Sequence, residues 1–173
     1  MSSSKRSLAI YLHDHLAGAA YALDLVGSVR DNFRGQELGE FAAMLFAEIA
    51  ADKEVLHSVA SRLAPSSDIL KDSVAWLTEK VSRFKLAHND PTGMGLFEAL
   101  EFLKLGIHGK AALWRALSEI REQHDELARI DFAKLLKRAE DQEQAVERFR
   151  LAAARNAFAH SDSTPVNSSI DIR

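Results

Sequence analysis

The chain contains no cysteine, and its 173 residues include only 3 prolines and 8 glycines. Without thiols it can form no disulfide, no thiolate metal site and no cysteine nucleophile, which fits a cytoplasmic protein. Few prolines and glycines leave few breaks in a helical pattern. Long apolar runs are missing too: none approaches the roughly 18 residues a membrane helix needs. Two basic residues in Met1–Arg6 are followed by no such run, so no signal peptide is expected. A formal net charge of -3 offers no basic surplus, so neither nucleic acid nor an anionic membrane is an expected partner. Alternating β-branched runs are absent, which removes strands from expectation.

Strong helix formers, Ala, Leu, Glu, Lys and Arg, fill the chain instead. With 47% hydrophobic and 27% charged residues, the composition suits one globular domain with its own core. The expected class is all-α.

Apolar residues spaced alternately four and three apart mark the helices. The first is expected over 7–31, with Leu8, Leu12, His15, Ala19, Ala22, Val26 and Val29 on one face. A short turn at Asn32–Gln36 implies an antiparallel partner. That partner, over 37–63, carries Leu45, Ile49, Asp52, Leu56, Val59 and Leu63 and ends before Pro65. Ser66 or Ser67 caps a further helix over 67–87, with face Leu70, Val74, Leu77, Val81 and Phe84. The run Asn89-Asp90-Pro91-Thr92-Gly93 breaks the pattern. Two more helices are expected over 95–123 (Leu96, Leu100, Leu103, Ile107, Lys110, Trp114, Leu117) and 125–158 (Phe132, Leu135, Ala139, Gln142, Val146, Phe149). The domain then covers 1–160, and the polar stretch 161–173 is expected to be disordered.

Each of the four main faces bears one strongly polar residue: His15, Asp52, Lys110 and Gln142. An unpaired buried carboxylate costs several kcal/mol, so Asp52 needs partners. His15 and Asp52 are symmetric about the first turn, and Lys110 and Gln142 about residue 126. Each pair is therefore expected level within its hairpin, and a connection that aligns the hairpins brings all four within about a turn, with Glu48 one turn away from Asp52. One reading is a self-satisfied core layer in which Lys110 neutralises Asp52 while His15 and Gln142 supply the remaining donors and acceptors. The other is a ligand or metal site, with His15, Glu48 and Asp52 as the metal ligands. Lys110 favours the first, because it fills the role a metal cation would. Gly106, Gly109, Gly18 and Gly27 interrupt helices, and close helix packing is the simplest reason for them; at Gly106 and Gly109 the alternative is a local distortion or the close approach of a ligand beside Lys110. His13 lies about 200° around the helix from His15 and is expected at the surface.

Two long hairpins joined by a connection that contains a helix resemble the ferritin-like superfamily, which includes ferritins, rubrerythrins and di-iron oxygenases. The resemblance covers 7–158 and implies a four-helix bundle with one crossover. Active members carry inward Glu and Glu-x-x-His ligands. Glu54-Val-Leu-His57 has that spacing here but points away from the apolar face, and no second such motif exists. The expected function is thus a non-catalytic binding or structural module, a homodimer without the standard di-iron centre. Two alternatives stand beside it: an iron- or manganese-dependent oxidoreductase with a non-standard site, and a bundle that binds a small organic ligand.

Overall fold

The computed structural model describes residues 3–63 and 93–158. The expected helix over 67–87 and the tail 161–173 lie outside the described residues. Among the described residues there are four long helices: α1 (Ser3–Asn32), α2 (Glu37–Leu63), α3 (Met94–Glu119) and α4 (Phe132–Ala157). No strand occurs among the described residues, and none of these helices is long and apolar enough to cross a membrane.

The four-three faces become the core. Leu12, Val26, Val29, Leu45, Ile49, Leu56, Val59, Leu100, Leu103, Ile107, Trp114, Leu117, Phe132, Leu135 and Val146 are all buried. They gather into two clusters. One joins Val26 and Val29 to Ala42, Leu45, Leu100, Leu103 and Val146. The other joins Leu12 to Val59, Trp114, Leu117, Leu127, Phe132 and Leu135. Reading each helix from one cluster to the other gives its direction. Helices α2 and α3 run the same way, and α1 and α4 run opposite to them. Helix α1 packs on α2 and α3, while α4 packs on α3 and α2, so each helix is antiparallel to both of its neighbours.

The first hairpin turns within four residues. Phe33 N–H donates to Val29 O (3.0 Å) and Gln36 N–H to Phe33 O (3.1 Å), while Gly35 takes a positive φ of 78°. The chain folds back so closely that a Cβ on Gly39 would stand 2.1 Å from the Phe33 carbonyl oxygen. The second hairpin differs from expectation. Helix α3 stops at Glu119, and α4 begins at Phe132 rather than near residue 125. Two single 3-10 turns, Arg121–Gln123 and Asp125–Leu127, occupy the interval. Leu127 and Ile130 plug the end of the bundle, and the Asp131 carboxylate accepts the Lys134 N–H (3.0 Å) as the N-cap of α4.

Outside the core, α3 and α4 are laced by ion pairs. Glu147 accepts from Lys104 (2.8 Å) and from Arg150 (2.7 and 2.9 Å), and Arg150 also reaches Glu101 (3.1 Å). Hydrogen bonds from Arg150 first, then from Lys104, pull the Glu147 carboxyl down to about 2.

Two outcomes follow from this geometry. Gly39→Ala must displace backbone, so it is expected to lower stability by about 1–3 kcal/mol in urea titration, whereas Gly→Ala in an open helix stabilises. Because the Glu147 carboxyl titrates lower when folded, its contribution is full above its ordinary value of 4.5 and fades as the pH falls towards 2. Acid titration of Glu147→Gln should lose that part of the stability slope and no other.

Candidate functional site

Between the two hydrophobic clusters lies a polar layer built from three helices. Asp52, from the inward face of α2, is only 2% exposed. Its Oδ2 accepts from Lys110 Nζ of α3 at 2.5 Å, and its Oδ1 accepts from Arg138 Nη2 of α4. Lys110 also donates to Gln142 Oε1, and Gln142 Nε2 donates to Glu48 Oε2 at 2.7 Å. Burial pushes the Lys110 ammonium below the ordinary lysine value, against the opposing pull of Asp52.

The structure thus brings together Asp52, Lys110, Gln142 and Glu48 but assigns them unequal places. Asp52 and Gln142 are buried, Lys110 is half-buried and Glu48 is exposed. His15 does not join the hydrogen-bonded set. It sits half-buried on α1 with its ring edge-on to Tyr11, centroids 4.7 Å apart, and burial lowers its pKa despite nearby Asp14. The second donor to Asp52, expected from His15 or Gln142, is Arg138 instead. Arg138 lies four residues before Gln142, beside the α4 apolar face rather than on it, and that spacing is the signal that could have found it.

For the trio His15, Glu48 and Asp52, the arrangement differs from a ligand set. Both Asp52 oxygens are engaged by cations and Glu48 by an amide. Among the described residues no group of three or more His, Cys, Asp or Glu side chains is placed to hold a metal ion. Glu54 and His57 are exposed, as their helical angle implied. His13 is not at the surface as expected: it is half-buried, with Nε2 enclosed and unpartnered among the described residues.

A small-ligand pocket stands among the alternatives read from the sequence, but its place between the helices does not. A cleft of about 440 Å³ opens between α1 and α3, with α2 as its floor. Its walls are mostly apolar, with Leu25, Ile49, Leu56, Leu103, Ile107 and Leu113 among them, and it also meets His15, Asp52, Lys53 and Lys110. No family model, curated protein or solved structure matches this chain. The chemistry of the site must therefore be argued from the cleft and the polar layer.

The glycines correct a second expectation. Of the four in mid-helix, only Gly27 approaches a neighbour, with Phe46 at 3.6 Å from an added Cβ. Gly18, Gly106 and Gly109 have nothing within 4 Å and line the cleft. They hold space open rather than allowing helices to touch.

The double grip on Asp52 makes a quantitative outcome testable. Lys110→Met or Arg138→Met alone leaves the carboxylate one cation, so each is expected to cost about 1–3 kcal/mol. The double variant strands a buried carboxylate and should exceed the sum of the singles by roughly 1–3 kcal/mol. Strict additivity in urea denaturation would show that the two cations do not share one load.

Proposed function

We propose that this chain is a non-catalytic, ferritin-like bundle whose cleft between α1 and α3 holds a small apolar organic molecule. The ferritin-like reading is supported by the parallel course of α2 and α3, with every packed neighbour antiparallel. The polar layer is a structural device in this reading, because both Asp52 oxygens and the Gln142 amide find partners within it.

The three cleft glycines carry the binding reading. A glycine inside a helix costs roughly 0.5–1 kcal/mol relative to alanine. Close packing can justify that cost, yet Gly18, Gly106 and Gly109 pack against nothing. What they maintain is room. A site of about 440 Å³ falls in the range of about 300–1,000 Å³ that suits small organic ligands.

Alanine at these positions separates stability from binding. Gly106→Ala and Gly109→Ala should each raise stability by roughly 0.5–1 kcal/mol. Decanol, an uncharged apolar probe, is expected to raise the Tm of the natural chain, since a ligand of the folded state stabilises by mass action. Gly109→Leu, which fills the cleft, should keep its helical circular dichroism and lose that rise. An equal Tm rise in both chains would remove the cleft from the explanation.

A further inference from the structure

We infer that the natural occupant of the cleft is an apolar monocarboxylate, whose anionic head meets Lys53 and Lys110 while its body lies against the aliphatic walls. This inference rests on the cleft being a ligand site.

Charge supplies the first argument. In the buried layer, the single carboxylate Asp52 faces two cations, Lys110 at 15% and Arg138 at 26% exposure. The remaining nearby acids, Glu48 on α2 and Asp14 on α1, are exposed to water, where their field is screened. The desolvated groups of the layer therefore carry a surplus of positive charge, offset in part by Glu48, which acts on Lys110, and by Asp14, which lines the cleft. A neutral guest leaves that surplus as it is. A cationic guest worsens it, and one anion relieves it.

Unused donors supply the second argument. An ammonium has three N–H groups. Lys110 gives one to Asp52 and one to Gln142, which leaves one without an acceptor in the described layer. Lys53, on the neighbouring position of α2, also lines the cleft and is half-buried, and it makes no hydrogen bond or ion pair with the described residues. Two lysines from two helices thus border one apolar space. A carboxylate can accept from both, and charge-assisted hydrogen bonds of this type are the strong ones.

The apolar stretch of the wall, away from Asp14, His15, Tyr21 and Trp114, has no place for a second such group. Leu25, Ile49, Leu56, Leu103, Ile107 and Leu113 offer no polar partner, and a second charge placed among them would be desolvated without compensation. The guest is amphipathic, with one charged end.

Matched probes test this at about pH 7.5, where decanoate is an anion and decylamine a cation. Isothermal titration of the full chain should show decanoate binding about tenfold or more tightly than decanol, the equivalent of one charge-assisted hydrogen bond. Decylamine should bind more weakly than both. Lys53→Gln is expected to remove several-fold of the decanoate preference without changing decanol affinity. Lys110→Met, checked for folding by circular dichroism, should do the same. Equal binding of decanoate and decanol would overturn the carboxylate inference and leave the cleft a site for neutral molecules. Tighter binding of decylamine, or a decanoate preference unchanged in both lysine variants, would overturn it as well. Binding of none of the three probes would overturn the ligand-site reading itself.

Discussion

Three of the four long helices are set around one buried carboxylate. Asp52 leaves α2 pointing into the core, where it would be costly alone. Its two oxygens are met by cations from two different helices, Lys110 of α3 and Arg138 of α4. Apolar side chains pack well at many relative heights, since burial is not directional. A carboxylate gripped from both sides is directional. Sliding either helix by one residue moves its cation about 1.5 Å along the axis and about 100° around it, which breaks the bond. The layer therefore fixes the mutual depth of three helices, and the Glu147–Arg150–Lys104 set repeats that role for α3 and α4 nearer the surface.

Helix α1 stands outside this system. Among the described residues, every ion pair that crosses between helices joins α2, α3 or α4. Leu12, Val26 and Val29 hold α1 in place through apolar packing. The cleft opens along this helix, at its junction with α3. A junction pinned by ion pairs would have to keep its spacing. One held by side-chain packing can be spaced by the size of its residues, and here Gly18, Ala19 and Ala22 face Gly106 and Gly109 across the gap.

The helices were legible because a 3.6-residue period writes the buried face directly into the sequence, and most residues on the α2, α3 and α4 faces are buried, while the α1 face is only partly so. Turn arithmetic brought Asp52, Lys110 and Gln142 to one level for the same reason. Arg138 was not legible that way. It lies beside the α4 face and reaches Asp52 by the length of its side chain, which periodicity does not register. The start of α4 was misplaced because the stretch 121–130 has the composition of a helix but forms two short 3-10 turns, Arg121–Gln123 and Asp125–Leu127, followed by a non-helical link, and the real boundary is set by the Asp131 cap. A ligand pocket was among the alternatives, but its place and extent were hidden for a deeper reason. Glycine in a helix is the same letter whether a neighbour touches it or nothing does, so an expectation of close packing at Gly18, Gly106 and Gly109 was open to reversal.

Two features of the protein work against its own stability. The cleft glycines forgo the helix propensity of alanine, and the Asp52 layer gathers more positive than negative charge away from water. Neither is required by the bundle: alanine would fit at all three positions, and an apolar residue at 138 would leave Lys110 to balance Asp52. Both face a common space, because Lys110 belongs to the layer and lines the cleft between Gly106 and Leu113. An amphipathic anion would fill the room and neutralise the surplus at once. Independent costs that one guest relieves together are better explained by that guest than by two separate accidents of packing.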